Sequence, residues 1–404
     1  MTAPAQPSPF PEEQLSGWKY FSQLGRILER LREHKDHFNR NLHYDQYVSL
    51  LLLYFFNPVV TSLRGVQFAS TLDKVQSKLS TPRAALGSLS EASHVFDPDL
   101  LGRIFTDLAS QAQAGDAVLR PRDIPEGLHV IIQDGTLLSA LPKMIWALWR
   151  QGQCAVKAHI QFDLFKSIPV NLELTPGGSS EKDAFEKMLA PDCLYLVDRG
   201  YLSYALFQKI IDSNSSFVAR AQDNTIYEVI EDRPLSDAAR KAGVLLDVKA
   251  RIGSHLNREA LTQPLRLIKI QVKPDPAQAY YSRRRTLESK INHRVQEEGG
   301  VIVVLTDRFD LTPEMIALLY RYRWQIELFF RWFKCILGCK HLLAQSENGL
   351  RIQLYVALIA SLLIVLWTGR KPTKRTLEMM QLYFQGWASE EELAAHIAGL
   401  KKPK

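Results

Sequence analysis

The chain is 404 residues long, which is long for one compact domain and predicts two or three lobes. Its composition, with 46% hydrophobic and 23% charged residues, is that of an ordinary globular protein, and four cysteines are too few for a disulfide framework. The formal net charge of +7 favours a polyanionic partner such as nucleic acid, although many basic proteins bind none.

The amino terminus is polar and proline-rich. Residues 1–16 lack the basic and apolar regions of a signal peptide and are predicted to be flexible. The most apolar segments, 47–56 and 355–367, fall short of the roughly 20 residues that span a bilayer, so we expect buried core helices there. These features predict a cytoplasmic protein without a membrane partner.

A helical domain is predicted over residues 17–120. Apolar residues recur there at three- and four-residue spacing, as at Leu24, Leu28 and Leu31. Basic residues decorate the same region, namely Arg26, Arg30, Arg32, Lys35 and Arg40. They form either a solvated helix face or a surface that grips DNA.

Two aspartates end apolar runs in the next part of the chain. Asp134 lies near the end of the strand-like run 129–138, and Asp198 directly follows the run 193–197. The segments between these runs read as two strands and a helix: 155–164, 168–174 and 181–189. This order predicts a mixed α/β fold. Each aspartate is either an ordinary turn residue or a functional group exposed at a strand end.

Residues 222–310 have mainly strand-like patterns and predict a β-rich insertion. The cluster of Arg283, Arg284 and Arg285 inside this segment is either a phosphate contact or a surface run. A helix is predicted to follow, with Thr312 as its N-cap and Pro313 in its first turn. We expect that helix to run to about residue 338.

One face of this predicted helix is charged. At about 100° per residue, five side chains fall within a stripe roughly 80° wide, opposite an apolar face; they are Tyr320, Arg323, Glu327, Arg331 and Lys334. The stripe could be a salt-bridge ladder, but its excess of cations suits a phosphodiester backbone. The single acid then needs another role, and ligation of magnesium with other carboxylates supplies one.

The run Tyr320-x2-Arg323-x3-Glu327-x6-Lys334 resembles the Y-R-E-K signature of the insertion sequence 4 family of bacterial DDE transposases. The segments IIQDGTLL around Asp134 and LYLVDRGY around Asp198 resemble the first and second catalytic aspartates of that family. The resemblance covers residues from about 125 to 368.

The resemblance implies an RNase H-like catalytic core formed by residues 121–221 and 311–368, with the β-rich insertion 222–310 between them and a helical tail at 369–404. It implies that Asp134, Asp198 and Glu327 are the catalytic residues and bind two Mg²⁺ ions, with Mn²⁺ as an alternative. The side chains expected to bind DNA are those of Tyr320, Arg323, Arg331 and Lys334.

The implied function is cut-and-paste transposition by a nucleoid-associated bacterial enzyme. It would cleave double-stranded DNA at the terminal inverted repeats of its own element and join the freed ends to target DNA, acting as a homodimer in a synaptic complex. Two alternatives remain open from the residues, which are a transposase-derived DNA-binding regulator without cleavage activity and a stand-alone metal-dependent nuclease.

Relatives of this family cleave through a DNA hairpin, with a base flipped onto a tryptophan of the insertion. This sequence has no tryptophan between Arg199 and Arg323. The resemblance therefore leaves Phe217, Tyr280 or Tyr281 as the expected stacking platform.

Overall fold

The computed structural model describes residues 18–33, 40–112, 124–125, 127–150, 153–254, 260–271, 300–339 and 341–400. The chain divides into two compact units. The first unit comprises Met1–Leu119, Thr136–Ser179 and Glu327–Lys404, and the second comprises Arg120–Gly135 and Ser180–Ile326. Several predicted features lie outside the described residues: the terminus 1–16, Lys35, Tyr280, Tyr281 and the arginine cluster 283–285.

The described residues form fourteen α-helices and ten strands. The helices are α1 (Trp18–Arg32), α2 (Tyr44–Phe56), α3 (Leu63–Ala69), α4 (Asp73–Leu79), α5 (Leu86–Val95), α6 (Pro98–Gln111), α7 (Glu181–Lys187), α8 (Tyr204–Asp212), α9 (Asp237–Lys241), α10 (Pro313–Tyr322), α11 (Gln325–Arg331), α12 (Glu347–Thr368), α13 (Lys374–Phe384) and α14 (Glu390–Gly399). The strands are β1 (His129–Ser139), β2 (Leu148–Arg150), β3 (Gln153–Asp163), β4 (Ile168–Pro176), β5 (Cys193–Val197), β6 (Ser216–Arg220), β7 (Tyr227–Asp232), β8 (Val244–Ile252), β9 (Leu265–Gln271) and β10 (Val301–Thr306). A mixed α/β fold is therefore confirmed.

Helices α1 to α6 belong to the first unit, and local sequence sets their bounds. At the start of α6, the Asp97 carboxylate accepts a hydrogen bond of 2.9 Å from the backbone N–H of Asp99, and Pro98 occupies the first helical position. Pro98 fits there because its fixed φ suits a helix and its missing N–H leaves no donor unpaired. Buried residues such as Leu101 and Leu108 then recur along one face. The described residues before β1 are therefore helical, as the apolar periodicity predicted.

Helix α12 is the core helix of the first unit. It is 22 residues long, begins at the N-cap Ser346 and ends at Gly369, whose φ of +62° suits glycine. By length and composition this helix could cross a membrane, but 83% of its most apolar window is buried inside the protein. The prediction that this segment is too short to span was therefore wrong, whereas the prediction of a buried core helix is confirmed.

The strands of the first unit form an antiparallel arrangement, in which β3 pairs with both β2 and β4. The connection between β3 and β4 is tight. Asp163 accepts a hydrogen bond of 2.8 Å from the backbone N–H of Lys166, and Ser167 adopts a left-handed conformation with φ of +53°. Residues on both faces of β3 are buried, as expected for a central strand.

The sheet of the second unit has the order β1-β5-β6-β10-β9-β8-β7. Strands β1, β5 and β6 are parallel neighbours, and the remaining strands continue antiparallel from β6. Strands β7 to β10 lie in the described parts of the segment 222–310, and the β-rich insertion as a whole stays a prediction. These strands extend the sheet that contains β6, because β10 is hydrogen-bonded to β6. The boundaries of the two compact units differ from the predicted domain boundaries.

Candidate active site

The register of β1 and β5 puts Asp134 beside Asp198, which directly follows the last residue of β5. Strand β1 pairs in parallel with β5, and Ile132 lies opposite Leu196. Both aspartates follow two residues later, so the register places them side by side on the same face of the sheet. Neighbouring strands are about 4.8 Å apart, which brings the two carboxylates within reach of a common ligand.

A third charged residue, Arg220, lies on the strand next to β5. Strand β5 pairs in parallel with β6, and Val197 lies opposite Ala219. One residue further, the register places Arg220, the last residue of β6, level with Asp198. Three parallel strands therefore carry two carboxylates and one guanidinium at neighbouring positions: Asp134 within β1, Asp198 directly after β5 and Arg220 at the end of β6. Arg220 was not predicted as a site residue, because no strand had been predicted over residues 216–220.

The predicted continuous helix to residue 338 is wrong. Helix α10 ends at Tyr322, a turn occupies residues 323–324, and α11 begins at Gln325. At this turn the backbone hydrogen bonds tighten to three-residue spacing, as from the N–H of Ile326 to the carbonyl of Arg323 at 3.3 Å. A π-helix then spans Trp332–Ile336. Because the angle per residue changes at both places, the single charged stripe of an ideal helix does not persist through the whole run.

The end of α10 brings two residues of the Y-R-E-K run to the aspartates. The Tyr320 hydroxyl donates a hydrogen bond of 3.3 Å to Oδ1 of Asp198. An Nη1 of Arg323 lies 3.6 Å from Oδ2 of Asp134. Both side chains are largely buried, with Tyr320 9% exposed and the Arg323 side chain 13% exposed. Each aspartate therefore has its own partner from the same short stretch of helix and turn.

These partners keep the Asp198 carboxylate ionised. Burial acts to raise the pKa of Asp198, but Arg323, the backbone N–H of Arg199, Arg220 and the Tyr320 hydroxyl together hold it below its ordinary value. Burial in turn raises the pKa of Tyr320 to about 12, so its hydroxyl remains a donor at neutral pH. The charged, half-buried carboxylate of Asp198 supplies oxygen ligands of the kind that a hard divalent cation prefers.

The remaining predicted site residues belong to the first unit. Glu327 is half-buried on α11, Arg331 is exposed at its end, and Lys334 is half-buried in the π-helix. Within the described ranges, no group of three or more His, Cys, Asp or Glu side chains is placed to hold a metal ion. The chemistry of Asp134 and Asp198 fits such an ion, and the complete triad with Glu327 stays a prediction.

A family model described as a transposase DDE domain matches residues 125–363, more than half of the chain, including Asp134, Asp198 and Glu327. The chain belongs to the family of DDE transposases.

Several relatives of this chain are named as transposases, and two of those below are named for insertion sequence elements. A protein of Sinorhizobium fredii is 25% identical over 220 residues, which cover 54% of this chain and 55% of that protein, so the chain spans about half of its length. A protein of Geobacillus stearothermophilus, named for the insertion sequence element IS5377, is 23% identical over 73% of this chain and 70% of its own length. One from Synechocystis sp., named for IS4SA, is 24% identical over 77% and 80%. The predicted resemblance to insertion-sequence transposases is confirmed.

A solved structure, that of a piggyBac transposase synaptic complex with hairpin DNA, aligns over 96% of this transposase and 82% of that chain. The TM-score is 0.43 and the sequence identity is 10%. A likeness at this level carries no argument about the site.

Two aromatic residues near the site are core residues. Phe217, on β6, is fully buried and stacks on Phe207 with ring centroids 4.2 Å apart. It is therefore not available to stack on a flipped base, and the expectation for Phe217 was wrong. Tyr201 is also buried, and burial, followed by Asp134 and Glu181, raises its pKa well above the ordinary value. A neutral phenol thus lies close to the acidic residues Asp134, Glu181 and Asp198.

Proposed function

We propose that this transposase cleaves DNA with divalent ions held by Asp134, Asp198 and Glu327. The observation that carries the proposal is the register of β1 and β5, which puts Asp134, within β1, beside Asp198, directly after β5. Glu327 lies four residues after Arg323 in sequence, and its place in the Y-R-E-K run makes it the third proposed ligand. Two Mg²⁺ ions are the expected occupants, and Mn²⁺ is an alternative.

The protein's own residues divide the work. Asp134 and Asp198 supply oxygen ligands from a rigid sheet, so their spacing is fixed before DNA binds. When bound, divalent ions activate the attacking water or hydroxyl and stabilise charge on the scissile phosphate. Tyr320 and Arg323 orient the two carboxylates and, together with Arg220, present cations and a phenol to the DNA backbone.

Arg331 and Lys334 extend the proposed DNA contact in the first unit. Arg331 is exposed, so its guanidinium can reach phosphate oxygens, and Lys334 adds a point charge three residues further on. The partners we propose are the terminal inverted repeats of the element and target DNA, bound by a homodimer. A cytoplasmic, nucleoid-associated location follows from that role.

An RNase H-like core is the architecture that fits this site best. The second unit supplies the parallel strands β1, β5 and β6, and the first supplies the antiparallel pair β3 and β4. Their order along the chain, with antiparallel strands between the first and second aspartates and parallel strands carrying them, supports this proposal. The fold then places catalytic acids at strand ends, where α/β sheets expose ligand-binding groups.

The test uses end-labelled duplexes made from the DNA that flanks the gene, with Mg²⁺, Mn²⁺ or Ca²⁺ as the added ion. We expect nicking at an inverted repeat with Mg²⁺ or Mn²⁺ and joining of a pre-cut end to a second duplex. Asp198→Asn should abolish both, whereas Asp237→Asn, at a side chain that is 90% exposed, should abolish neither. Cutting without joining would indicate a nuclease, and binding without cutting would indicate a regulator; either result overturns the proposal.

A further inference from the structure

A buried guanidinium joins two strands of the second unit to the loop before α10. Arg266, on β9, is fully buried and forms a two-point ion pair with Asp247 on β8, with Nε–Oδ1 at 2.8 Å and Nη2–Oδ2 at 2.7 Å. Its remaining nitrogen, Nη1, donates to the carbonyl oxygens of Arg308, at 3.0 Å, and Leu311. The Arg266 side chain, on β9, therefore makes four hydrogen bonds, two to β8 and two to the loop 307–312.

A second arginine holds the middle of the same loop. Arg233 donates from Nη2 to the carbonyl oxygen of Phe309 at 3.2 Å, and its Nε lies 3.5 Å from Oδ2 of Asp247. The Phe309 ring lies between two cations, with the Arg233 guanidinium carbon 5.7 Å and the Lys249 ammonium 5.8 Å from its centroid. Carbonyls at 308, 309 and 311 are thus all bound by arginines that Asp247 orients.

Helix α10 starts directly after this loop, at Pro313. Its far end carries Tyr320 and leads to Arg323, which contact Asp198 and Asp134. A helix turns by about 100° and rises about 1.5 Å per residue, so a slip of one residue at its start would swing Tyr320 away from Asp198. The loop therefore sets the register of the helix at the aspartates.

Burying an ion pair is a weak way to gain stability, because desolvation of the charges offsets their attraction. The pair of Arg266 and Asp247 is better explained by the geometry that it imposes on the loop. We propose that Arg266 and Asp247 are positioning residues, which hold Tyr320 and Arg323 at the aspartates by anchoring the loop 307–312. The inference rests on the proposed function, since it assigns these contacts a part in DNA cleavage.

The experiment compares the double variant Arg266→Met/Asp247→Leu with the full-length wild-type transposase. Apolar replacements fill the buried site, and the one charge that loses a partner, Arg233, has a side chain that is 31% exposed to water, so the folded state should be retained. The carbonyls of Arg308 and Leu311 nevertheless lose their donor. The matched control is Arg240→Met/Asp237→Leu, which removes an arginine–aspartate pair with side chains 63% and 90% exposed in the same unit.

Two measurements are made on each protein. Hydrogen exchange, followed without DNA or metal, should speed up by about tenfold in peptides covering residues 307–322 of the double variant and stay unchanged in the control. Single-turnover nicking, with protein in saturating excess over the flanking-DNA duplex, should slow by about a hundredfold. The melting temperature should stay close to that of the wild type.

Wild-type nicking by a folded double variant, or unchanged exchange in the loop, would overturn the inference. Should the double variant fail to fold, Arg266→Lys provides the same comparison, since lysine keeps the charge opposite Asp247 but cannot also reach both carbonyls. If the wild-type protein nicks no duplex, the proposed function fails, and the exchange experiment still decides whether the ion pair anchors the loop.

Discussion

Asp134 in β1 and Asp198 directly after β5 each lie two residues beyond the paired residues Ile132 and Leu196 of these parallel strands. The pairing of the two strands therefore brings the two carboxylates to neighbouring positions. It also exposes both to the end of α10, from which Tyr320 and Arg323 reach them. The sheet therefore positions the two carboxylates, and Tyr320 and Arg323 lower the pKa of Asp198.

The first prediction concerns the ionisation of Asp198. Arg323 is the strongest of the groups that lower its pKa, and the Tyr320 hydroxyl is a weaker one. Arg323→Met should therefore raise the pKa of Asp198 more than Tyr320→Phe does. The measurement is a carbon-detected NMR titration of metal-free protein labelled at aspartate, with the Asp198 signal assigned by its loss in Asp198→Asn.

The lowered pKa of Asp198 also makes the free energy of unfolding depend on pH. A carboxyl whose pKa is lowered by folding stabilises the protein above its ordinary pKa of about 3.9, and this contribution is lost as the pH falls through the lower folded value. Tyr322→Phe serves as the control, because Tyr322 is not among the groups that shift the pKa of Asp198, and it should leave the titration unchanged. An Asp198 titration that is the same in all three variants would contradict the assignment.

The second prediction concerns His159, a buried residue of β3. Burial, aided by Lys157, lowers the pKa of His159 to about 4 from 6.5. The neutral ring is thus favoured by folding, and stability falls as the pH drops from about 6.5 towards 4 because the unfolded chain takes up the proton. Between pH 7 and pH 5 this group should cost about 2 kcal/mol of folding free energy.

Urea unfolding at the two pH values measures this effect. The shift of the midpoint between pH 7 and pH 5 should shrink in His159→Gln and stay as in the wild type in His94→Gln, which removes an exposed imidazole. Equal shifts in His159→Gln and in the wild type would show that the buried ring does not control the acid sensitivity.

The third prediction concerns the close approach of α12 to α5. A Cβ atom added at Gly349 would lie 2.6 Å from the Cβ atoms of Ala344 and Ser93, and neither atom can rotate away. Gly349→Ala should therefore destabilise the protein by about 1 to 3 kcal/mol, seen as a lower melting temperature. Gly87→Ala, in α5 with nothing within 4 Å of the added atom, should not lower it. Equal melting temperatures for the two variants would contradict this packing.

The fourth prediction concerns Lys334 as a phosphate contact. Lys334→Met should weaken binding to all duplexes, whatever their sequence, and should reduce the slope of log affinity against log salt by about 0.9. Lys187→Met, at an exposed residue of α7, is the control and should keep the wild-type slope. A Lys334→Met slope equal to that of the wild type would remove this lysine from the DNA interface.

Parts of the site could be read from local sequence. Asp198 was predictable because the apolar run before it stops where β5 ends, whereas β1 continues past Asp134 to Ser139. Thr312 and Pro313 gave the start of α10 for a similar reason, although the Thr312 side chain makes no capping hydrogen bond. In each case the signal lies within a few consecutive residues.

Other features depend on contacts between distant segments. The break after Tyr322 could not be seen on a helical wheel, which assumes one constant angle per residue. The pairing of Arg266 with Asp247 was not predicted, because only the folded sheet brings these two residues together and buries them. Arg220 was missed because its relation to Asp198 depends on the register of two strands.

The most direct test of the catalytic account is single-turnover nicking by Glu327→Gln in Mg²⁺, on the flanking-DNA duplex, measured together with DNA affinity. The substitution keeps the size of the side chain and removes the charged oxygen ligand. Affinity should be preserved, and the nicking rate should fall to at most about a hundredth of the wild-type rate. Glu378→Gln, at an exposed residue of α13, should match the wild type in both. Cutting by Glu327→Gln at the wild-type rate would contradict the assignment of Asp134, Asp198 and Glu327 as the catalytic triad.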